Sequence, residues 1–248
     1  MEKFREKFEI REYAEARIYR NGEFVELVKF PDASFNSISS TGKGELAEIV
    51  GGLDTKYFDS MWVVVDGTVS TLKSLSPPTE SGGTLTLEPT TPFSIPGDYT
   101  AVLTGNGALG SGNWYSSIST SLSLPANSEV DFTVQIIITG AESGYYGHRI
   151  AAARWGNVSG SNYNSPLSTI STYNGTSLLD SDSTNNSVSG NTLTVTHSNA
   201  FTGPDSIDKV EYRTAVSGSD GKFDMFDGFT ISVDATTEVF FEAEFVFG

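Results

Sequence analysis

The 248-residue chain contains no cysteine, two histidines and three methionines. Without cysteine there is no disulfide scaffold, no thiol nucleophile and no thiolate metal site. Two histidines, His148 and His197, fall short of the several convergent ligands that His/carboxylate metal centres use. Basic residues are scarce: 15 Lys+Arg against 31 Asp+Glu give a net charge of −16. That balance excludes the clustered Lys/Arg footprint of a phosphate-backbone binder, so no nucleic-acid partner is expected. No run approaches the roughly 18 apolar residues of a membrane-spanning helix. A Gly-x-Ser-x-Gly nucleophile elbow is missing. Gly105-Asn106-Gly107-Ala108-Leu109-Gly110 has the spacing of a dinucleotide fingerprint but lacks the following helix and the βαβ setting, and reads as a turn-rich loop. A Ser-His-Asp arrangement, whose members converge only in space, is the one catalytic option that spacing leaves open. The expectation is a protein that is not an enzyme and carries no cofactor and no metal.

What the chain does have is serine, threonine and glycine: 33, 26 and 25 residues. They are unevenly spread. Residues 1–30 contain no Ser or Thr and hold seven basic and seven acidic side chains, a net charge of zero. Residues 31–248 hold all the Ser and Thr, with eight basic and 24 acidic groups. The first segment is not a secretion signal, because charge alternates with apolar residues and no 7–15-residue apolar core is present. The remainder has the make-up of an outward-facing β protein. Together these features point to a protein made in the cytoplasm and released by lysis. A chain shorn of its export signal, or a plainly cytosolic one, is the other reading.

Ile18-Tyr19-Arg20-Asn21-Gly22-Glu23-Phe24-Val25 reads as a β-hairpin, since Asn-Gly accepts the two positive φ angles of a type I′ turn. That turn pairs Arg20 with Glu23 and Tyr19 with Phe24. Phe4 and Phe8 stand four apart, as a short helix or a strand arm would have them. Residues 43–50 read as a short helix ended by Gly51-Gly52. From residue 55 onward the chain reads as strands and turns. Residues 61–65 form an apolar run closed by Asp66-Gly67; residues 84–87, 122–124 and 130–134 alternate. Strand signals every 8–12 residues with Gly, Pro, Asn and Ser between them predict an all-β sandwich or jelly roll.

The chain also repeats itself. Thr84, Leu85, Thr86, Phe93 and Pro96 recur as Thr192, Leu193, Thr194, Phe201 and Pro204. Ser123, Ala126, Glu129, Val130 and Phe132 recur as Ser232, Ala235, Glu238, Val239 and Phe241. Gly67-Thr68-Val69-Ser70 matches Gly156-Asn157-Val158-Ser159 at a shorter offset, which implies an extra, exposed loop within 162–190. The expected architecture is therefore all-β: an N-terminal arm and hairpin over 1–50, followed by two tandem, internally duplicated β-sandwich or jelly-roll-like domains over 51–140 and 141–248. Glu129 and Glu238 follow turns and fit a rim role.

Several of these blocks carry a resemblance. The segment Tyr57-Phe58-Asp59-x-Met61-Trp62-Val63-Val64-Val65-Asp66-Gly67-Thr68, Thr84–Leu87, Ile207–Tyr212, Phe223-Asp224-x-Phe226 and the closing strand pair together resemble β-sandwich virion structural proteins of tailed phages and archaeal viruses, of the tail, decoration or turret type. The resemblance covers most of 55–248. It departs at Glu211-Tyr212, where Gly-Leu is usual. It implies a virion location, synthesis in the host cytoplasm, and contacts with copies of itself and with other virion proteins such as capsid or tail components.

Candidate contact residues follow from position. Phe4, Phe8, Tyr13, Tyr19 and Phe24 are the apolar side chains of the neutral N-terminal segment and the candidates for assembly. Tyr163 and Tyr173, in the polar 162–190 stretch, are the candidates for exposed aromatic contact with a host-surface glycan; Trp62, in an apolar run, reads as core. A carbohydrate-binding or adhesin module is the rival function. Residues 180–185 and 220–228 are rich in hard oxygen ligands but lack the 12-position calcium loop with its closing Glu, and read as solvated acidic turns. Asn157, Asn174 and Asn185 head Asn-x-Ser/Thr sequences.

Overall fold

A computed structural model describes residues 2–30, 36–38, 40–65, 68–95, 99–107, 116–124, 127–200 and 204–248. Its elements are β1 (Glu2–Arg20), β2 (Glu23–Phe30), β3 (Asn36–Ile38), α1 (Ser40–Val50), β4 (Phe58–Val65), β5 (Thr68–Ser74), β6 (Thr79–Ser81), β7 (Thr84–Leu87), β8 (Phe93–Ile95), β9 (Tyr99–Gly107), β10 (Ser116–Leu124), β11 (Ser128–Thr139), α2 (Gly147–Gly156), β12 (Leu167–Asn174), β13 (Ser177–Ser183), β14 (Asn185–Ser189), β15 (Thr192–Ala200), β16 (Asp205–Thr214), β17 (Lys222–Val233) and β18 (Glu238–Phe247). The all-β class holds.

The Asn-Gly turn forms as read. Asn21 and Gly22 have φ of 52° and 81°, and Arg20 pairs with Glu23 and Tyr19 with Phe24. The helix before Gly51-Gly52 forms too, and Gly52 takes φ 72°. Phe4 and Phe8 lie on a strand, not a helix. That strand is the spine of the molecule. β1 pairs parallel with β18 over residues 2–8 and antiparallel with β11 over residues 9–20. It thereby joins a sheet of order β14-β15-β18-β1-β11-β7-β6, with β2 on β1 and β8 on β11. Two smaller sheets have the orders β3-β10-β9-β4-β5 and β13-β12-β16-β17.

The strands that carry the two long repeated blocks occupy corresponding places. β7 lies beside β11 and β15 beside β18, both antiparallel. The orders β10-β9-β4-β5 and β17-β16-β12-β13 also correspond, each set following a helix. The third match is corrected. Thr68-Val69-Ser70 opens β5, whereas Gly156 ends α2, a helix the sequence reading did not anticipate. The expected loop over 162–190 is corrected with it, because β12, β13 and β14 all fall in that stretch. Gly105-Asn106-Gly107 belongs to β9 instead of a loop; residues 108–110 lie outside the described residues.

Packing binds the two halves together. α1 lies against β14, β15 and β18, while α2 lies against β6, β7 and β11, so each helix covers the other half's strands. The fit is close: a Cβ on Gly51 would meet Leu193 Cδ1 at 2.7 Å, and one on Gly156 would collide with Leu85 Cδ1. Asn186 Nδ2 donates to Gly51 O at 2.8 Å and Leu167 O at 2.9 Å. The core beneath β1 is aromatic. Phe8, fully buried, packs on Phe223, Phe245 and Phe247, with Tyr212 edge-on to Phe245. Such rings bury large areas and prefer offset or edge geometry.

Candidate functional site

The alternation of β1 sorts its side chains between two faces. Phe8, Ala14, Ala16 and Ile18 are buried toward the core, while Tyr13, Glu15, Arg17 and Tyr19 point the other way. On that outer face Tyr19 meets Phe24 edge-on at 5.9 Å, and Arg17 and Glu15 stand opposite Leu27 and Lys29 of β2. β2 itself is exposed nearly throughout: Phe24 is 58%, Val25 50% and Leu27 41% accessible. Val25 is the extra residue of a bulge, since Tyr19 pairs with Phe24 but Ile18 with Glu26. Among the described residues β2 has no strand partner beyond β1. The result is an apolar edge strand with a free ladder of N–H and C=O groups, the feature that templates pairing with another chain. Beside it a cavity of about 690 Å³ lies between Tyr13, Glu15, Arg17, Lys29, Thr86, Glu88, Thr133 and Gln135. Burial, aided by Glu88, pushes the Asp131 carboxyl above the usual range.

The structure separates the five candidate assembly residues. Tyr13, Tyr19 and Phe24 share the outer face. Phe8 is corrected to a core residue, and Phe4 is half-buried and stacked on Phe226 at 4.7 Å. Both serve contacts within the chain, because residues 2–20 are a central strand and not a free arm. Leu27 and Val25 were missed, and the only signal for them was the register that the Asn-Gly turn imposes.

Tyr163 and Tyr173 are corrected as well; neither is a freely exposed ring. Tyr163 has the Arg149 guanidinium 4.0 Å over its ring and donates its hydroxyl to Asp220 Oδ1 at 3.2 Å. Tyr173 donates to Glu211 Oε2 at 3.0 Å, under Lys209. Glu211 is itself buried, and Tyr145 donates to its Oε1 at 2.7 Å. Lys209 Nζ and Arg213 Nη1 each lie 3.2 Å from it. Burial opposes its ionisation, but the donors from Tyr145, Lys209 and Tyr173 outweigh that and hold the carboxyl below its usual range. Burial and the bond to Glu211 push the Tyr145 hydroxyl up. This saturated cluster ties β12, β16 and the loop before α2 together.

His197 is buried on β15, its Nδ1 3.0 Å from Ser183 O. His148 lies half-buried on α2, where burial holds its pKa down. Asp224, within the acidic 220–228 segment, is fully buried, not solvated. Its Oδ1 accepts from the backbone N–H of Glu142 and Met225 at 3.0 and 2.9 Å. Burial pushes it up to about 7, with Glu6 and Glu142 adding repulsion. Among the described residues one acidic trio, Glu45, Glu48 and Asp54, lies close enough to share an ion; Lys56 Nζ already sits 3.0 Å from Glu45 and 2.8 Å from Asp54. The side chain of Trp62 lies outside the described residues. Among the described residues no helix is long and apolar enough to cross a membrane. Comparison of the chain with family models, with curated proteins and with solved structures finds no match.

Proposed function

We propose that this chain is a non-enzymatic structural component of a virus particle, built on an internal repeat, that assembles with copies of itself and other virion proteins through β2. The observation that carries the reading is the edge strand: three exposed apolar side chains, Phe24, Val25 and Leu27, beside an unpaired backbone ladder. Monomeric proteins usually blunt such an edge or cover it. Charge favours a second copy as the first partner. The body of the chain, carrying all 16 excess negative charges, repels itself, while residues 1–30 are neutral and interleave both signs. Glu15 opposite Lys29 and Arg20 opposite Glu23 keep the hairpin face balanced. The virion setting rests on the resemblance of the strand motifs to tail, decoration and turret proteins.

Light scattering of the full chain against the double variant Phe24→Asp/Leu27→Asp tests the assembly. Both positions are exposed, so the fold survives the change. A discrete oligomer in the parent and a monomer in the variant is the expected result; an equal mass for both overturns the role of β2.

A further inference from the structure

A second feature lies away from the hairpin and does not rest on the assembly reading. The last turns of α1 and α2 meet, and Arg154 of α2 donates Nε and Nη2 to Ile49 O at 3.1 and 2.7 Å. Those are its only partners among the described residues, and no carboxylate lies within ion-pair distance. Arg149, five residues earlier, is by contrast held by both oxygens of Glu80 at 2.9 and 3.0 Å. Arg154 borders a cavity of about 280 Å³ whose other lining residues are Ile49, Thr55, Tyr57, Asn157 and Asn164. None of them is acidic. Burial, with no compensating anion, holds the Arg154 pKa below its usual value. A half-buried guanidinium with spare N–H donors and no counter-ion is a costly arrangement in a chain this rich in carboxylates.

We infer that this pocket binds the carboxylate of an acidic monosaccharide of the uronic or sialic acid class. Arg154 takes the carboxylate, whose planar geometry its fork matches. Asn164 Nδ2 is held by Asn157 Oδ1 at 3.1 Å and by Val158 O at 3.3 Å, which leaves Asn157 Nδ2 as a donor and Asn164 Oδ1 as an acceptor for ring hydroxyls. Tyr57, 37% accessible, offers its ring to the apolar side of the sugar. The volume is at the small end of ligand pockets, roughly 300–1,000 Å³, which suits one ring and not an extended chain.

Calorimetric titration of the full chain with glucuronate and with N-acetylneuraminate tests this, alongside glucose, N-acetylglucosamine, acetate and phosphate. The sugar acids are expected to bind saturably and about tenfold or more tighter than the neutral sugars, acetate or phosphate, the discrimination expected of one charge-assisted contact plus the ring. Removing Arg154 also frees Ile49 O, so the informative variants are Asn164→Ala and Tyr57→Ala. Each is expected to weaken the sugar acids about tenfold while the thermal transition stays in place. Acetate or phosphate binding as well as the sugar acids overturns the sugar assignment. No binding by any anion overturns the site, and unchanged affinity in both variants overturns its location.

Discussion

Asp224 is the residue on which pH acts most directly. Its carboxyl is buried, with Oδ1 satisfied by two backbone N–H groups and Oδ2 without a partner among the described residues. Burial raises its folded pKa to about 7, above the unfolded carboxylate range. The stability this group contributes is complete below the unfolded pKa and is lost as pH rises through about 7. The contribution of Asp224 is therefore expected to grow as pH falls from 8 toward 5, while His148, whose pKa burial lowers, acts in the opposite sense. Asp224→Asn keeps the acceptor Oδ1 and should gain about 1–3 kcal/mol at pH 8 but nothing at pH 5; urea unfolding at the two pH values measures it. Glu211 has the opposite character. It is ionised and saturated by donors, so Glu211→Gln strands Lys209 and Arg213 and is expected to cost about 3 kcal/mol at pH 7, read by the same unfolding curves. A glycine at position 211 would supply no acceptor for the hydroxyls of Tyr145 and Tyr173. Lys209 and Arg213 flank Glu211 on its own strand, but the role was not legible because Tyr145, Tyr173 and Lys222 reach it from the loop before α2, from β12 and from β17.

At the scale of elements, legibility followed local chemistry. The β1–β2 hairpin was readable down to its pairs because Asn21-Gly22 dictates the turn, and α1 because Gly51-Gly52 ends it. Gly22→Ala forces a side chain into positive φ and should loosen the hairpin by about 1 kcal/mol, seen as faster amide exchange in β2 than in the parent. α2 was not legible. Gly147, Ile150, Ala151, Ala152, Ala153, Trp155 and Gly156 are all buried, so the helix shows no polar face and no amphipathic stripe. β13 and β14 were missed for the reverse reason: they are largely exposed, and their Ser, Asn and Asp residues give no alternation to read. Among the assembly candidates, Tyr13, Tyr19 and Phe24 were legible as apolar residues in a neutral segment. The inward turn of Phe8 depends on β18, more than 200 positions further along, and local sequence cannot show it.

For the whole molecule, the decisive fact is that β1 bridges β11 and β18 while α1 and α2 each cover the other half's strands. The recurring motifs carry no sign of this exchange, which arises from packing between distant segments. Fragments 51–140 and 141–248 made separately both lack β1 and α1; the second thereby loses the helix that covers its strands, and the first loses α2, which covers its own. Neither is expected to show a cooperative thermal transition by circular dichroism, whereas the full chain should unfold in one step with coincident near- and far-ultraviolet curves. The same topology leaves β2 as the exposed edge of the hairpin, since β1 is paired on both sides over residues 14–20, with β11 and with β2 itself. Amide hydrogen exchange of the full chain, at low and at high protein concentration, tests this most directly. The β2 amides over residues 23–30 are expected to gain protection as concentration rises, while those of β1 stay protected throughout. Protection in β2 that does not change with concentration, with new protection appearing elsewhere on the surface or nowhere, would contradict the assignment of β2 as the assembly edge.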